Sequence, residues 1–147
     1  MAAALLPIPS PTTPADAGNE PPRVGVFFWH DSPNDVATLS GLRLGLERSG
    51  FVCELIERHA DSDEPLARRQ LLELDQECAV VVTLGTQATL LAKDVVRRAP
   101  IVFAAVTNPV ASGIVADFGP SGTALCGATN WIDPANVLEV FRLAVPE

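Results

Sequence analysis

After residue 22, short apolar runs alternate with segments of helical periodicity, and this alternation is the feature that most constrains the fold. The first run, Val24 to Trp29, is apolar at nearly every position. Such continuous runs are typical of strands that are buried on both faces, which occur in parallel sheets covered by helices on each side. The alternation therefore predicts an α/β fold built on a doubly wound parallel sheet.

The pattern predicts about five strands and four helices. The strands are predicted at Val24–Trp29, Phe51–Ile56, Ala79–Leu84, Pro100–Val106 and Leu125–Ala128. The helices are predicted to begin at Ser32-Pro33, at Asp61–Pro65, directly after Gly85 and at Asp133-Pro134. Because crossovers between parallel strands are right-handed, the expected strand order is 2-1-3-4-5.

Local chemistry predicts where helices start and which faces they bury. The first helix is predicted to have a cap, a first-turn proline, a capping-box acid and a stop signal at Ser32, Pro33, Asp35 and Gly50. The last helix is predicted to turn four apolar side chains toward the core, namely Val137, Leu138, Phe141 and Ala144.

The length and net charge of the chain limit its domain count and its possible partners. At 147 residues the chain has the size of one domain. Its net charge of -8 argues against nucleic acid as a partner, because phosphate binding requires clustered Lys and Arg. No apolar run approaches the roughly 20 residues of a membrane-spanning helix. Six of the 13 prolines precede Val24, so Met1 to Pro22 is predicted to be a disordered leader without a convincing signal peptide.

The sequence lacks the residue patterns that several kinds of catalytic, metal and cofactor site require. The cysteines Cys53, Cys78 and Cys126 have no metal-binding or redox spacing and are expected as buried, unpaired thiols. Neither glycine-rich phosphate-binding motif is present, so no nucleotide cofactor is implied. His30 and Asp31 are adjacent, but neighbouring side chains on extended backbone point apart. The chain is therefore predicted not to be an enzyme, with no catalytic residue, no metal site and no cofactor.

In open parallel sheets, ligands bind beyond the carboxyl ends of the strands, near the point where the strand order reverses. The loops at that edge are predicted to hold the ligand-binding residues, which are Trp29, His30, Asp31, Ser32, Gly85, Thr86, Gln87, Thr107, Asn108, Thr129 and Asn130. Their hydroxyls and amides, together with the free N–H groups of a helix start, suit a carboxylate or another small anion. A small organic ligand is therefore expected.

Three residues near this edge have structural alternatives. Thr86 is expected first of all as a cap of the third helix, which would account for it without a ligand. Trp29 is suited equally to stacking on a ligand and to plugging the end of the first strand. Trp131 is suited equally to stacking and to closing the core beneath the last helix. These alternatives stay open at the level of sequence.

Three segments carry a resemblance to a known family. Residues 100–110 (PIVFAAVTNPV), 113–115 (GIV) and 126–129 (CGAT) resemble the ABC transporter substrate-binding protein family, typified by tryptophan and tyrosine receptors. Residues 83–88 (TLGTQA) are similar to the turn after the third strand in that family. The resemblance extends over residues 23–147 and implies a lobe of the type I periplasmic binding proteins.

The resemblance also implies roles for the predicted site. Gly85, Thr86 and Gln87 would offer hydroxyl and backbone donors to a ligand carboxylate. The same cleft would be lined by Thr107, Asn108 and Thr129. Asn108 stands where the family commonly has Asp, so the usual charge partner for a ligand ammonium is replaced by an amide.

Two functional hypotheses follow. Family members hold their ligand between two similar lobes, so residues 23–147 are expected to form a first lobe that binds an amino acid or a related carboxylate. Its implied partner is an ABC permease or a sensor, and its implied location is periplasmic or otherwise extracytoplasmic. The alternative is a stand-alone or truncated lobe that acts as an interaction module and forms a homodimer through an exposed face.

Overall fold

The computed structural model describes residues 20–120 and 122–145. Its strands and helices are, in chain order, β1 (Arg23–Phe28), α1 (Pro33–Ser49), β2 (Glu54–His59), α2 (Glu64–Glu77), β3 (Val80–Leu84), α3 (Thr86–Val95), β4 (Ile101–Val106), β5 (Leu125–Thr129) and α4 (Pro134–Ala144). The disordered leader predicted over residues 1–22 lies outside the described residues, except for its last three positions.

The five strands form one sheet in the order β2-β1-β3-β4-β5, and every neighbouring pair is parallel. The predicted fold class and strand order are therefore confirmed. The central strands β1 and β3 are buried along almost their whole length because they carry β-branched and aromatic side chains on both faces. Among the described helices, none has the length and hydrophobicity needed to cross a membrane.

The sheet separates two apolar clusters. On one face, Phe27 of β1 and Val81 of β3 pack with Leu71 and Leu74 of α2 and with Leu91 of α3. On the other face, alternate residues of the same strands form a smaller cluster that is covered by Leu39 and Leu42 of α1, and its buried members are Val24, Val26, Phe28, Val82 and Leu84. Alternation of side chains along each strand thus places two helices on one face and one on the other.

A buried carboxylate ties α2 to the connection between α3 and β4. Asp75 is only 7% exposed. Its Oδ1 accepts hydrogen bonds from the backbone N–H groups of Arg98 and Ala99, both at 2.8 Å, and its Oδ2 accepts one from Arg97 at 3.1 Å. Burial raises the pKa of this carboxyl, but the three N–H donors outweigh that effect, so its pKa lies below the ordinary value.

The second strand is displaced from its predicted position. It was expected at Phe51–Ile56, but β2 begins at Glu54 and ends at His59. Phe51 and Val52, which suggested the earlier start, are 52% and 74% exposed. The pairing of Arg23 with Glu54 fixes where β2 starts, and the side chains of these two residues form an ion pair at 3.0 Å. Partner geometry, and not local hydrophobicity, therefore sets this boundary.

The last helix forms where it was predicted, but its environment differs. Val137, Leu138, Phe141 and Ala144 were expected to face the core, and that prediction is wrong because α4 has no buried residue. Phe141 is 62% exposed and Leu138 is 64% exposed. An amphipathic sequence fixes which side chains share one face of a helix, but it does not fix where that face docks.

The cysteines also differ in part from the prediction. All three are free. Cys78 is buried in the core, and burial raises the pKa of its thiol. Cys53 is partly buried against the α1-side cluster. Cys126, in contrast, is exposed, because no described helix covers β5 on the side toward which this thiol points.

We predict that Asp75→Asn lowers the free energy of unfolding by about 2 to 3 kcal/mol, because an amide places its own donors against the N–H groups of residues 97–99. Since the folded pKa of Asp75 is depressed, its stabilisation is present above the unfolded pKa of about 3.9 and is lost as the pH falls through the lower folded value. Urea unfolding measured from pH 7 to pH 3 tests both statements.

The matched control is Asp94→Asn, which alters an exposed carboxylate that pairs with Arg68 at 2.7 Å. That change is expected to cost at most about 1 kcal/mol. Equal losses for the two variants at pH 7 would contradict the role given to Asp75.

Candidate functional site

The carboxyl ends of the strands align along one edge of the sheet, which we call the rim. Phe28 pairs with Leu84 and Leu84 pairs with Ala104, so β1, β3 and β4 end at nearly the same level. Val106 of β4 pairs with Thr129 of β5. The loops that begin at residues 29, 85, 107 and 130 therefore leave the sheet at the same edge.

The turn from β3 into α3 depends on Gly85. Its φ of 87° and ψ of 164° belong to a region that is essentially restricted to glycine. The Gly85 N–H donates to the Ala104 carbonyl at 2.9 Å, and the Gly85 carbonyl accepts from the Thr89 hydroxyl at 2.8 Å. The buried hydroxyls of Thr83 and Thr89 are hydrogen bonded to each other at 2.9 Å. These contacts fix the start of α3 at the rim.

The N-terminus of α3 has no side-chain cap. The other described helices are capped by the side chains of Ser32, Asp63 and Asp133. In α3 the capping position is Gly85 and Thr86 is already the first helical residue, so the interpretation of Thr86 as the cap is wrong. The first N–H groups of a helix have no partner within the helix, which leaves these donors and the partly buried Thr86 at the rim.

The β4 end of the rim is shaped by an irregular strand. Ala105 has a φ of 56°, and the pairing with β5 shifts its register between Phe103 and Val106. The hydroxyl of Thr129 lies 2.8 Å from the Val106 carbonyl and 2.9 Å from the Thr107 carbonyl, so it donates to the β4 backbone. Thr129, which was predicted to bind the ligand, thus uses its hydroxyl to hold the loop after β4 in place.

Asn108 and Asn130 lie beside that brace. The Asn108 side-chain oxygen accepts a hydrogen bond from the Ala111 N–H at 2.9 Å. The side-chain NH₂ group of Asn108 is therefore the part that can donate to a ligand. The Asn130 N–H donates to the Val106 carbonyl at 3.2 Å, and its side chain is exposed. Thr107 is exposed as well. The β4 and β5 loops therefore present amides and a hydroxyl on the same edge as α3.

The loop after β1 contains a side-chain hydrogen bond that the sequence did not suggest. His59 Nδ1 lies 2.7 Å from Asp31 Oδ1, and the His59 ring stacks on Phe28 with centroids 4.3 Å apart. Asp31 therefore pairs with the end of β2 and not with its neighbour His30, which is exposed. Sequence analysis could not detect this contact, because residues 31 and 59 come together only when β1 and β2 pair and place His59 opposite Phe28.

Asp35 is a second residue at the rim that sequence analysis assigned only to capping. Ser32 caps α1 as predicted, since its Oγ accepts from the Asp35 N–H at 3.1 Å, and the Asp35 carboxylate accepts from that hydroxyl at 2.7 Å and not from the Ser32 backbone, which a capping box would require. Asp35 is also only 6% exposed. Its Oδ1 lies 3.6 Å from where a Cβ on Gly85 would stand, which places a buried negative charge against the β3 turn.

The two tryptophans lie in different surroundings. Trp29 is partly buried, packs against the core and lines a shallow hollow of about 240 Å³ with Gln87, between α2 and α3. Trp131 is 38% exposed, and its N–H donates to Thr129 Oγ1 at 3.0 Å. Trp29 thus serves in part as a plug, whereas Trp131 does not close the core under α4, which has no buried residue.

We predict that Gly85→Ala lowers the free energy of unfolding by about 1 to 3 kcal/mol, because the space for a Cβ exists but the backbone conformation is strained for any residue with a side chain. Gly45→Ala is the matched control. It lies within α1 with open space around it and is expected to stabilise by about 0.5 to 1 kcal/mol. Urea unfolding of both variants tests this, and a neutral Gly85→Ala would contradict the stated constraint.

Several solved structures have a similar fold. CD0873, a substrate-binding protein with adhesive properties from Clostridium difficile, matches in its ligand-free, open form with a TM-score of 0.77 and 22% identity, over 86% of this chain and 44% of its own. A conserved domain protein from Vibrio cholerae matches with a TM-score of 0.73 and 23% identity, over 84% and 43%.

A third structure, an ABC domain from Streptococcus pneumonia in complex with L-Trp, matches with a TM-score of 0.73 and 20% identity, over 84% of this chain and 43% of its own. The chain thus spans less than half the length of these structures. None of the curated proteins matches it. The family described as ABC transporter substrate binding protein matches residues 23–147. The chain therefore belongs to the ABC transporter substrate-binding protein family.

Proposed function

We propose that residues 23–147 form the first lobe of a solute receptor that binds an amino acid or a related small carboxylate at the rim. The uncapped N-terminus of α3 is the observation that carries this proposal. Its N–H donors and the partial positive charge of the helix end favour an anionic group. Gly85 has no side chain, so a carboxylate can approach the backbone closely.

The chemistry around α3 supports a ligand with both acceptor and donor groups. Thr86 and Gln87 follow Gly85 directly and would add a hydroxyl and an amide to the N–H donors. Asp35 lies beside the same turn, and it is buried. A negative charge at that position suits an N–H donor or ammonium on the ligand, which is the role that Asn108 cannot fill by charge.

The rim favours binding over catalysis. The hydroxyls of Ser32 and Thr129 are engaged in hydrogen bonds to Asp35 and to the β4 backbone, respectively. Asp31 pairs with His59 across two strands, which orders the β1 loop. These three side chains are thus engaged in shaping the loops, which supports a binding role for the proposed lobe.

Family membership supports the wider role. A receptor of this family delivers its ligand to an ABC permease or a sensor outside the cytoplasm, and we propose that role here. The S. pneumonia structure of the same fold contains L-Trp, which is consistent with an amino acid as one ligand class to test. Because a closing second lobe contributes contacts and excludes water, this lobe alone is expected to bind weakly.

We predict that one class among branched amino acids, aromatic amino acids and small carboxylates raises the melting temperature of the chain. Ligand at 100 times its dissociation constant stabilises the native state by about 2.7 kcal/mol. Thr86→Val is expected to weaken the binding of that class about 5- to 10-fold, which corresponds to one hydrogen bond. Thermal-shift titration of the wild-type chain and of the variant provides the measurement.

The matched control is Thr38→Val, which removes a hydroxyl that donates to the Asn34 carbonyl within α1. It should leave the apparent affinity unchanged. No shift with any of the three classes would contradict the proposed ligand chemistry. A ligand that shifts wild type and Thr86→Val equally would place the binding site away from the start of α3.

A further inference from the structure

Asp35 is a buried carboxylate with few partners of its own. It is 6% exposed, which is close to the 7% of Asp75. Asp75 accepts three backbone N–H donors, whereas the only described donor to the Asp35 carboxylate is the Ser32 hydroxyl, 2.7 Å from Oδ2. None of the ion pairs within residues 20–120 and 122–145 includes Asp35. Because aspartate is almost never buried without such partners, Asp35 is short of donors.

The other oxygen of this carboxylate, Oδ1, faces the turn from β3 into α3. No described group donates to it. In the part of the chain that the structure describes, Gln70 Oε1 is the one solvent-sealed side-chain atom without a partner, so Asp35 Oδ1 is reached by solvent. Oδ1 lies 3.6 Å from the point where a Cβ on Gly85 would stand. Apart from Gly85 and its two chain neighbours, it is the only described atom within 4 Å of that point.

The same point borders the uncapped start of α3. Bonding within this helix begins with the Thr89 N–H, which donates to the Gly85 carbonyl at 3.2 Å. The N–H groups of residues 86–88 therefore have no partner within the helix. They form the positive end of the helix dipole. A negative charge and a set of N–H donors thus border the space that the missing side chain of Gly85 leaves open.

This arrangement favours a ligand with two opposite charges over a ligand with one. A plain carboxylate bound to the N–H groups would lie close to Asp35, and like charges at short distance repel each other. A plain amine beside Asp35 would leave the N–H donors unused and would face the positive end of α3. An α-amino acid carries an ammonium and a carboxylate on one carbon atom, so both groups can be bound at once.

We propose that Asp35 determines the ligand specificity of the rim, because its Oδ1 accepts a hydrogen bond from the ammonium of an α-amino acid whose carboxylate is bound at the start of α3. This inference rests on the function proposed above and narrows its ligand from small carboxylates in general to zwitterionic amino acids. The neutral amide of Asn108 is then no obstacle to such a ligand, since the first turn of α1 supplies the negative charge.

A purely structural role for Asp35 has a different consequence. Its charge could act only on the dipole of α3, although it makes no hydrogen bond to that helix, which has no side-chain cap. Removal of the charge would then strengthen the binding of every ligand carboxylate to the same degree. A contact with the ammonium instead predicts opposite effects on an amino acid and on its analogue without the amino group.

The first experiment compares matched probes on the wild-type chain by NMR chemical-shift titration. L-Tryptophan is compared with indolepropionate, which lacks the ammonium, and with tryptamine, which lacks the carboxylate. L-Leucine is compared with isocaproate and isoamylamine in the same way. We expect at least one amino acid to bind about 10-fold more tightly than either of its analogues, because each analogue loses one charged hydrogen-bonding group.

The outcomes separate this inference from the proposed function. If indolepropionate or isocaproate binds as tightly as its parent amino acid, the inference is overturned while the proposed carboxylate site stands. If an amine binds as tightly as its parent, or if no probe binds, both are contradicted.

The second experiment repeats the titrations with Asp35→Asn, after urea unfolding has verified that the variant folds. The amino acid is expected to bind about 10- to 100-fold more weakly, because a charged acceptor is lost. Its analogue without the amino group is expected to bind as tightly as before or more tightly, because the repulsion is removed. Changes of the same sign and size for the two probes would refute the contact with the ammonium.

Asp94→Asn is the matched control, because it removes the same charge from the chain. Asp94 pairs with Arg68 and lies eight residues beyond the start of α3, a distance of about 12 Å along the helix. Both affinities are expected to stay unchanged in this variant. If Asp94→Asn weakened the binding of the amino acid as much as Asp35→Asn does, the effect would come from net charge, and the inference would fail.

Discussion

The parallel backbone pairing of β1, β3 and β4 is the constraint on which the rest of the structure depends. Each of these strands is apolar on both faces, so the sheet can exist only if helices cover it from both sides. The register of Phe28, Leu84 and Ala104 then brings the carboxyl ends to one level. A shift of one residue in that register would turn the core side chains to the wrong face and would separate the loops of the rim.

Contacts between distant segments hold the helices against this sheet. Asp75 joins α2 to the start of β4 through three backbone N–H groups, and the Thr83–Thr89 pair joins β3 to α3. Positive φ angles occur where these elements meet the rim, without strain at Gly85 and with strain at Ala105. Backbone strain is tolerated where the surrounding structure determines it, and it is frequent at binding sites. These packed elements thus support the start of α3.

Burial decreases from the centre of the sheet to its β5 edge. Only Leu125 of β5 is buried, and α4 beyond it has no buried residue. Among the described residues, the half of the sheet where α1, α2 and α3 pack is therefore well covered, whereas most of β5 and all of α4 are exposed. The rim includes loops from both halves, so the β4 and β5 loops leave the less covered part of the sheet.

The sequence alone determined the fold class, the strand order and most of the helix limits, because hydrophobic period, caps and right-handed crossovers are local or nearly local rules. It also selected the loops of the rim, since parallel strands all end at the same edge. Tertiary structure decided the rest. The start of β2, the pairing of Asp31 with His59 and the burial of Asp35 against the Gly85 turn depend on residues distant in the chain. The docking of α4 belongs to the same group, because periodicity defines an apolar face and only the surrounding surfaces determine what covers it.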